Sequence, residues 1–340
     1  MIPKTMKAVC FYNYGTPEEL IISEVPVPQP KDDEILVKML ASSFSPADAK
    51  ARNGWYRSMY ELDFPRIPSV ELGGTVAAVG KNVTNFKVGD KVIGFKDKRL
   101  GGALAEYCVI AASEACLAPK GVDLTPLCAI PGYALSAMQV ITEEAHLQKG
   151  QRVMYIGAAG GIGQLSMQIA KSMGAYVIGC DAEENRDEVL GLGADEFVAA
   201  GTLDYEAFAK NKVDVIVSVI PIEEPQLEEY MKIINRGGAY VSSVPLKNKV
   251  YSGPDYDGKR GLESLCLSKE MEEKYGVHCR WMTVKRGGDR LKVIADLIER
   301  GDLKPVIQQT VTVNEYKQLN YDFEAGKVRG RHLVLIEGYI

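Results

Sequence analysis

A chain of 340 residues is too long for one ordinary hydrophobic core and suits two domains. Its 46% hydrophobic and 25% charged residues are the balance of a soluble globular protein, and a net charge of −5 gives no global pull toward nucleic acid or an anionic membrane. The opening MIPKTMKAVCFYNYG lacks the long apolar core of a signal peptide and no apolar run reaches spanning length, so the expectation is a cytoplasmic protein with no membrane partner.

The first 125 or so residues read as strand-rich. EILVKML and GTVAAVG have a two-residue apolar period, broken by Gly, Pro and Asp/Lys turns, and VGDKVIGF and GALAEYCVI continue it. From about residue 126 strands and helices alternate. RVMYIG reads as a buried strand, and the helix after it carries Ile162, Leu165, Ile169 and Met173 at helical spacing. AYVIGC, helical NRDEVLGLG, VDVIVSVI, helical LEEYMKII and GGAYVSSV follow in order. Apolar strands separated by amphipathic helices imply an α/β domain with a parallel sheet covered on both faces. The chain closes with a helix at LKVIADLIERG and a strand at HLVLIEG, while the polar stretch 247–275 gives no readable pattern. The seven cysteines (Cys10, Cys108, Cys116, Cys128, Cys180, Cys266, Cys279) are scattered without a C-x-x-C, which suits reduced thiols better than a disulfide framework.

VMYIGAAGGIG carries the first chemical signal. Ala158, Gly160 and Gly163 occupy the positions of a G-x-G-x-x-G turn between strand and helix, with Ala in place of the first Gly. Gly160 permits close backbone approach to a pyrophosphate, Gly163 permits close packing of helix on strand, and the N–H groups at Gly161 and Ile162 open the helix toward an anion. A glycine turn alone is a weak sign of a dinucleotide site. Here the strand, turn, helix and second strand occur in order, and Asp181 follows about 20 residues on, where a ribose-binding acid is expected. Such an acid accepts from the adenosine ribose hydroxyls and repels an extra phosphate, so NAD(H) is expected over NADP(H). Glu183 and Glu184 are read as a solvated helix start, and Arg186 is the nearby cation.

With these motifs the chain resembles the medium-chain dehydrogenase/reductase superfamily, in its zinc-free quinone-oxidoreductase and enoyl-reductase branch. The likeness runs from MKAVCFYNYGTPEELIISEVPVPQP through EILVKMLASSFSPADAKARNGWY, FKVGDKVIGF and GALAEYCVIA to GKVRGRHLVLI. It implies a GroES-like catalytic domain at 1–125 and 284–340, split around a Rossmann cofactor domain at 126–283. It also implies a homodimer formed edge to edge through the Rossmann sheet, with the candidate edge at His278 to Met282.

Zinc-dependent members place a Cys where this chain has Ser45, a Gly-His-Glu where it has Ser69-Val70-Glu71, and a third ligand near Gly132. Only Glu71 remains as a donor, and three N, S or O side chains are needed, so no zinc is expected. Without a Lewis acid the accessible reaction is hydride addition to an electron-poor acceptor, a quinone or a double bond conjugated to a carbonyl, with a donor for the developing enolate.

By resemblance that donor is Tyr56, and Ser45, Lys50 and Tyr133 border the substrate pocket. Ser45-Pro46-Ala47-Asp48 stands where enoyl reductases carry Asn-Pro-Ser-Asp, which removes any side-chain amide at the first position. The same resemblance assigns cofactor contacts to Ser136, Val219, Ile220, Ser242, Ser243 and Val244, beside Ala158, Gly160, Gly161, Ile162, Gly163 and Asp181. Packing roles compete with each of these readings, and His146, His278 and His332 are read as structural. The expectation is an NAD(P)H-dependent reductase of a small-molecule substrate. The alternatives are a reductase of one dedicated pathway intermediate, or a non-catalytic role of the kind for which lens crystallins and RNA-binding proteins have used this scaffold. The acidic balance speaks against RNA.

Overall fold

The computed structural model of the chain describes residues 1–57, 60–97, 99–244 and 269–339. Two units emerge, one of Met1–Gly132, Arg286–Gly301 and Pro305–Ile340, the other of Tyr133–Lys285 and Asp302–Lys304. The expected divisions at 125/126 and 283/284 fall a few residues earlier. Residues 126–132 stay with the first unit, where Glu71 Oε1 accepts from Gly132 N at 2.7 Å. Lys285 stays with the second, its backbone N–H donating to Gln139 Oε1 at 2.9 Å.

In the first unit a seven-stranded sheet runs Gln309–Thr312, His332–Leu335, Glu34–Phe44, Glu71–Val79, Lys91–Phe95, Ala115–Leu117, with Tyr107–Ala111 also pairing with Glu34–Phe44. All of its pairings are antiparallel except that of Gln309–Thr312 with His332–Leu335. Thr5–Cys10 and Ile21–Pro26 form a separate antiparallel pair. The two-residue period expected for EILVKML gives way to burial on both faces. Ile35 and Val37 pack with Leu72, Val76 and Val92, while Leu36 packs on the other side with Met6, Ala8 and Val27. Two apolar clusters flank the first half of this central strand, so Ile35, Leu36 and Val37 are buried in succession instead of alternating with polar side chains.

The second unit is a six-stranded parallel sheet in the order Glu196–Ala199, Tyr176–Asp181, Arg152–Ile156, Val213–Ser218, Ile234–Ser242, His278–Trp281. Alternate residues of Arg152–Ile156 enter opposite cores, Val153 and Tyr155 on one side and Met154 and Ile156 on the other. That is the reason the strand reads as a continuous apolar run. The helix Gly161–Ser172 is buried more widely than a single stripe. Leu165 and Ile169 are buried as expected, Met167 and Ala170 are buried with them, and Ile162 and Met173 are only half-buried. The strand Glu196–Ala199 and the helix Tyr205–Lys210 gave no readable signal in the sequence. Of the stretch 247–275, only 269–275 lie among the described residues, and they are helical.

The six described cysteines are free and buried; Cys266 lies outside the described residues. Among the described residues no helix is long and apolar enough to cross a membrane.

Candidate active site

The strand order of the second unit reverses between Arg152–Ile156 and Val213–Ser218, and in open α/β sheets ligands bind beyond the carboxyl ends of strands at such a switch point. Both strands deliver candidate residues there. After Ile156 the chain turns through Gly157, whose φ of +87° is a left-handed conformation that favours glycine. A Cβ on Gly163 would lie 2.6 Å from the carbonyl oxygens of both Gly157 and Ala158, so the helix can sit this close to the turn only with glycine there. Gly160 is the N-cap and has no side chain to accept from the first turn, which leaves the helix N–H groups for an anion. Ala158, Gly160, Gly161, Ile162 and Gly163 thus form a cradle with the close backbone and the open N–H groups that a dinucleotide pyrophosphate would need.

Val219 and Ile220, read in sequence as the end of the strand VDVIVSVI, lie just beyond it, since the strand ends at Ser218. Val219 N donates to Ile156 O at 3.0 Å, and a Cβ on Gly157 would meet the side chains of both, so the two flank the phosphate turn. Ser242 ends the next strand and is buried, its hydroxyl donating to Val244 O at 2.7 Å, with Ser218 O 3.2 Å away. Ser243 N donates to Ser218 O at 3.3 Å, and the Ser243 hydroxyl is buried without a hydrogen-bond partner among the described residues. Val244 O accepts from the indole of Trp281 at 3.0 Å.

Asp181 closes the second strand, as its spacing from the turn requires. Its carboxylate is not open on all sides. It accepts from Ala159 N at 2.8 Å, from Ala182 N at 2.8 Å and from the Asn185 amide at 2.7 Å. Arg186 is committed to Glu183, with contacts of 2.6 and 2.8 Å, and lies over the Phe197 ring at 4.5 Å. Tyr133 and Ser136 lie on the helix Pro131–Gln139 and belong to this second unit; Tyr133 is half-buried and Ser136 buried.

The first unit holds Ser45, Lys50 and Tyr56 on or near one short helix, Pro46–Arg52. Ser45 is its N-cap and accepts from Ala47 N at 3.2 Å. Lys50 lies over the Trp55 ring at 5.2 Å, and burial pulls its pKa down. Tyr56 is half-buried with its ring stacked on Tyr60 at 5.9 Å. Burial first, then Tyr60 and Asp48, pushes its phenol up to about 12, so it is a hydroxyl donor throughout the neutral range.

Sequence reasoning did not find the buried polar cluster of the first unit, which reaches the same short helix through Asp48. Glu71 and Arg331 form an ion pair with side chains 3% and 2% exposed. Besides Gly132 N, the Glu71 carboxylate accepts from the Ser43 hydroxyl. Arg331 donates to Phe44 O at 3.0 Å and to Ala129 O. Burial brings its guanidinium down to about 9, still charged at neutral pH as these acceptors require. Ser42 donates to Glu71 O at 2.6 Å, and its oxygen is left to accept from the Ser69 hydroxyl at 2.9 Å. Ser69 has φ of +63°, rare for a residue with a Cβ, and its N–H donates to Asp48 Oδ1 at 3.1 Å. These residues come from five separated segments, and no local spacing announces them.

A zinc ion does not fit this donor set. Ser45 caps a helix, Val70 is apolar and buried, Gly132 has no side chain, and the Glu71 carboxylate is taken by Arg331.

Comparison with known proteins supplies the family. Residues 31–120 match the alcohol dehydrogenase GroES-like domain and residues 192–334 the zinc-binding dehydrogenase domain. The chloroplast envelope quinone oxidoreductase homolog of Arabidopsis thaliana is 34% identical over 321 residues, 90% of this chain and 91% of that one. The chain belongs to the medium-chain dehydrogenase/reductase superfamily. As such it is an NAD(P)H oxidoreductase. The 2-methylene-furan-3-one reductase of Solanum lycopersicum is 31% identical over 315 residues, covering 90% of this chain and 72% of that one. The quinone oxidoreductase of Coxiella burnetii has the same fold, with a TM-score of 0.81, 22% identity and coverage of 98% and 100%.

Proposed function

We propose that this medium-chain reductase transfers hydride, without zinc, to a quinone or to a carbon–carbon double bond conjugated to a carbonyl. The observation that carries this reading is the commitment of Glu71 to Arg331, Ser43 and Gly132 N, together with Val70 beside it. The side chains at the metal positions are either apolar or engaged within the protein, and this argues against an alkoxide-stabilising Lewis acid there. The names of two relatives, a quinone oxidoreductase homolog and a reductase of a methylene-furanone, support an electron-poor acceptor.

Bound NAD(P)H supplies the hydride. The chain's own residues do the rest. The turn Gly157–Gly160 and the first N–H groups of the helix would hold the pyrophosphate, and Val219, Ile220 and the backbone of Ser242 to Val244, which flank that turn and the next strand end, would contact the rest of the cofactor. Tyr56, a protonated phenol, donates to the acceptor oxygen as charge develops on it. Ser45 and Lys50, at the short helix Pro46–Arg52 of the same unit, shape the acceptor site there. NADH is favoured over NADPH because Asp181 stands at the end of the second strand. A subunit pair formed through the edge strand His278–Trp281 completes the proposal.

The test is NADH and NADPH oxidation against a panel of quinones, 2-alkenals, enones and enoyl thioesters, with and without a chelator. Chelator-insensitive turnover of at least one such acceptor supports the reading; turnover only with simple alcohols or aldehydes, abolished by the chelator, refutes it.

A further inference from the structure

A carboxylate offers about four lone-pair sites to donors. Three of those on Asp181 are filled from the protein: Oδ2 accepts from Ala159 N, and Oδ1 accepts from Ala182 N and from the Asn185 side chain. One site on Oδ2 is left for a ribose hydroxyl. The bonds run to two different segments. Ala159 belongs to the phosphate turn, whereas Asn185 ends the 3-10 turn Glu183–Asn185 and is 7% exposed. Asp181 therefore cannot rotate away from an approaching phosphate without breaking contacts on both. Arg186, the cation next along the chain, is held by Glu183 and by the Phe197 ring. Two of the three donors are backbone amides that no side-chain replacement removes. Asn185 is the one that substitution can take away.

We propose that Asn185 determines cofactor specificity by holding the Asp181 carboxylate against the phosphate turn, so that its charge is fixed where the 2′-phosphate of NADPH would lie. The inference rests on the proposed NADH preference and assigns that preference to a pinned carboxylate rather than to an acid at that position as such. Asn185 is a positioning residue that acts through Asp181.

The experiment measures dissociation constants of NADH and NADPH by fluorescence, without acceptor, for wild type and Asn185→Leu, together with hydrogen exchange of the Ala159 and Ala182 amides in the cofactor-free protein. Wild type is expected to bind NADH about tenfold more tightly. Asn185→Leu should narrow that ratio by roughly three- to tenfold, almost all of it through tighter NADPH, and the Ala159 amide should exchange faster. If wild type prefers NADH and the variant keeps the same ratio, the role of Asn185 is overturned while the cofactor preference stands. A wild type that binds NADPH as tightly as NADH overturns the preference and the assignment with it. Equal weakening of both cofactors would mark Asn185 as a loop support only and also overturns the proposal. Should Asn185→Leu not fold, Asn185→Ala removes the same donor without bulk and is read against the same outcomes.

Discussion

In the strand-rich unit the charges of the candidate site lie inside the protein, whereas in the parallel-sheet unit they stand at strand ends. Glu71 and Arg331 are almost fully buried and satisfy one another; Asp181 is half-buried at the end of its strand and is satisfied by its neighbours' amides. The difference is one of cost. A buried pair is held at the expense of two desolvations and fails badly when halved, whereas a strand-end carboxylate keeps part of its solvation and tolerates change. Folding stability should therefore be concentrated in the first set of residues and cofactor selectivity in the second.

Halving the buried pair gives the largest expected effect. Glu71→Ala leaves a guanidinium uncompensated and should cost about 3–5 kcal/mol of stability by denaturant unfolding. The double substitution Glu71→Leu with Arg331→Met should restore most of it. By contrast, Asp181→Asn should cost under about 1 kcal/mol, since the amide oxygen still accepts from two of the present donors. Equal losses at the two positions would dissolve the distinction between the units.

Tyr56→Phe comes next. Removing the hydroxyl should lower kcat about a hundredfold with little change in cofactor affinity. The pH profile sharpens the point. With its pKa raised to about 12, the phenol stays protonated and donating as pH rises, so it contributes no loss of kcat between roughly pH 6 and 10. A basic limb near pH 10 that vanishes in Tyr56→Phe would show that the phenol titrates normally.

Lys96 provides a smaller, opposite effect within the first unit. It is 6% exposed and donates to the Cys108 thiol at 3.3 Å, a much weaker acceptor than the carboxylate that meets Arg331. Lys96→Met should leave stability unchanged or raise it by about 1–2 kcal/mol, and a loss above that size would reveal a stronger role for the pair. The smallest effect concerns assembly. Light scattering at micromolar concentration should report a dimer, and a charged replacement of the half-buried Trp281 on the edge strand should shift it toward monomer.

The parallel-sheet unit was far more legible in sequence than the strand-rich one. Its strands are continuous apolar runs because both faces are covered, its turn is a short glycine-rich segment, Gly157 to Gly163, and Asp181 lies at a fixed distance from that turn. Each of these is a local pattern. Glu71, Ser43, Ser69, Asp48 and Arg331 meet only through strand pairing and chain crossing, so residues far apart in sequence carry no common period. Asn185 escaped notice for another reason. In sequence it is one polar residue among the acids that open a helix, and only its burial and its bond to Asp181 distinguish it. Val219 and Ile220 fall outside the strand because its end is set by pairing with Arg152–Ile156, which closes the ladder at Ser218.

The central claim is hydride transfer to an activated acceptor with Tyr56 as proton donor. Its most direct measurement uses cofactor deuterated at the nicotinamide C4 with an enone that the protein reduces, and locates the label in the product. Deuterium at the carbon β to the carbonyl, with the α hydrogen drawn from solvent and the rate unaffected by chelator, is the predicted result. Deuterium on the carbonyl carbon, lost when metal is removed, would contradict it.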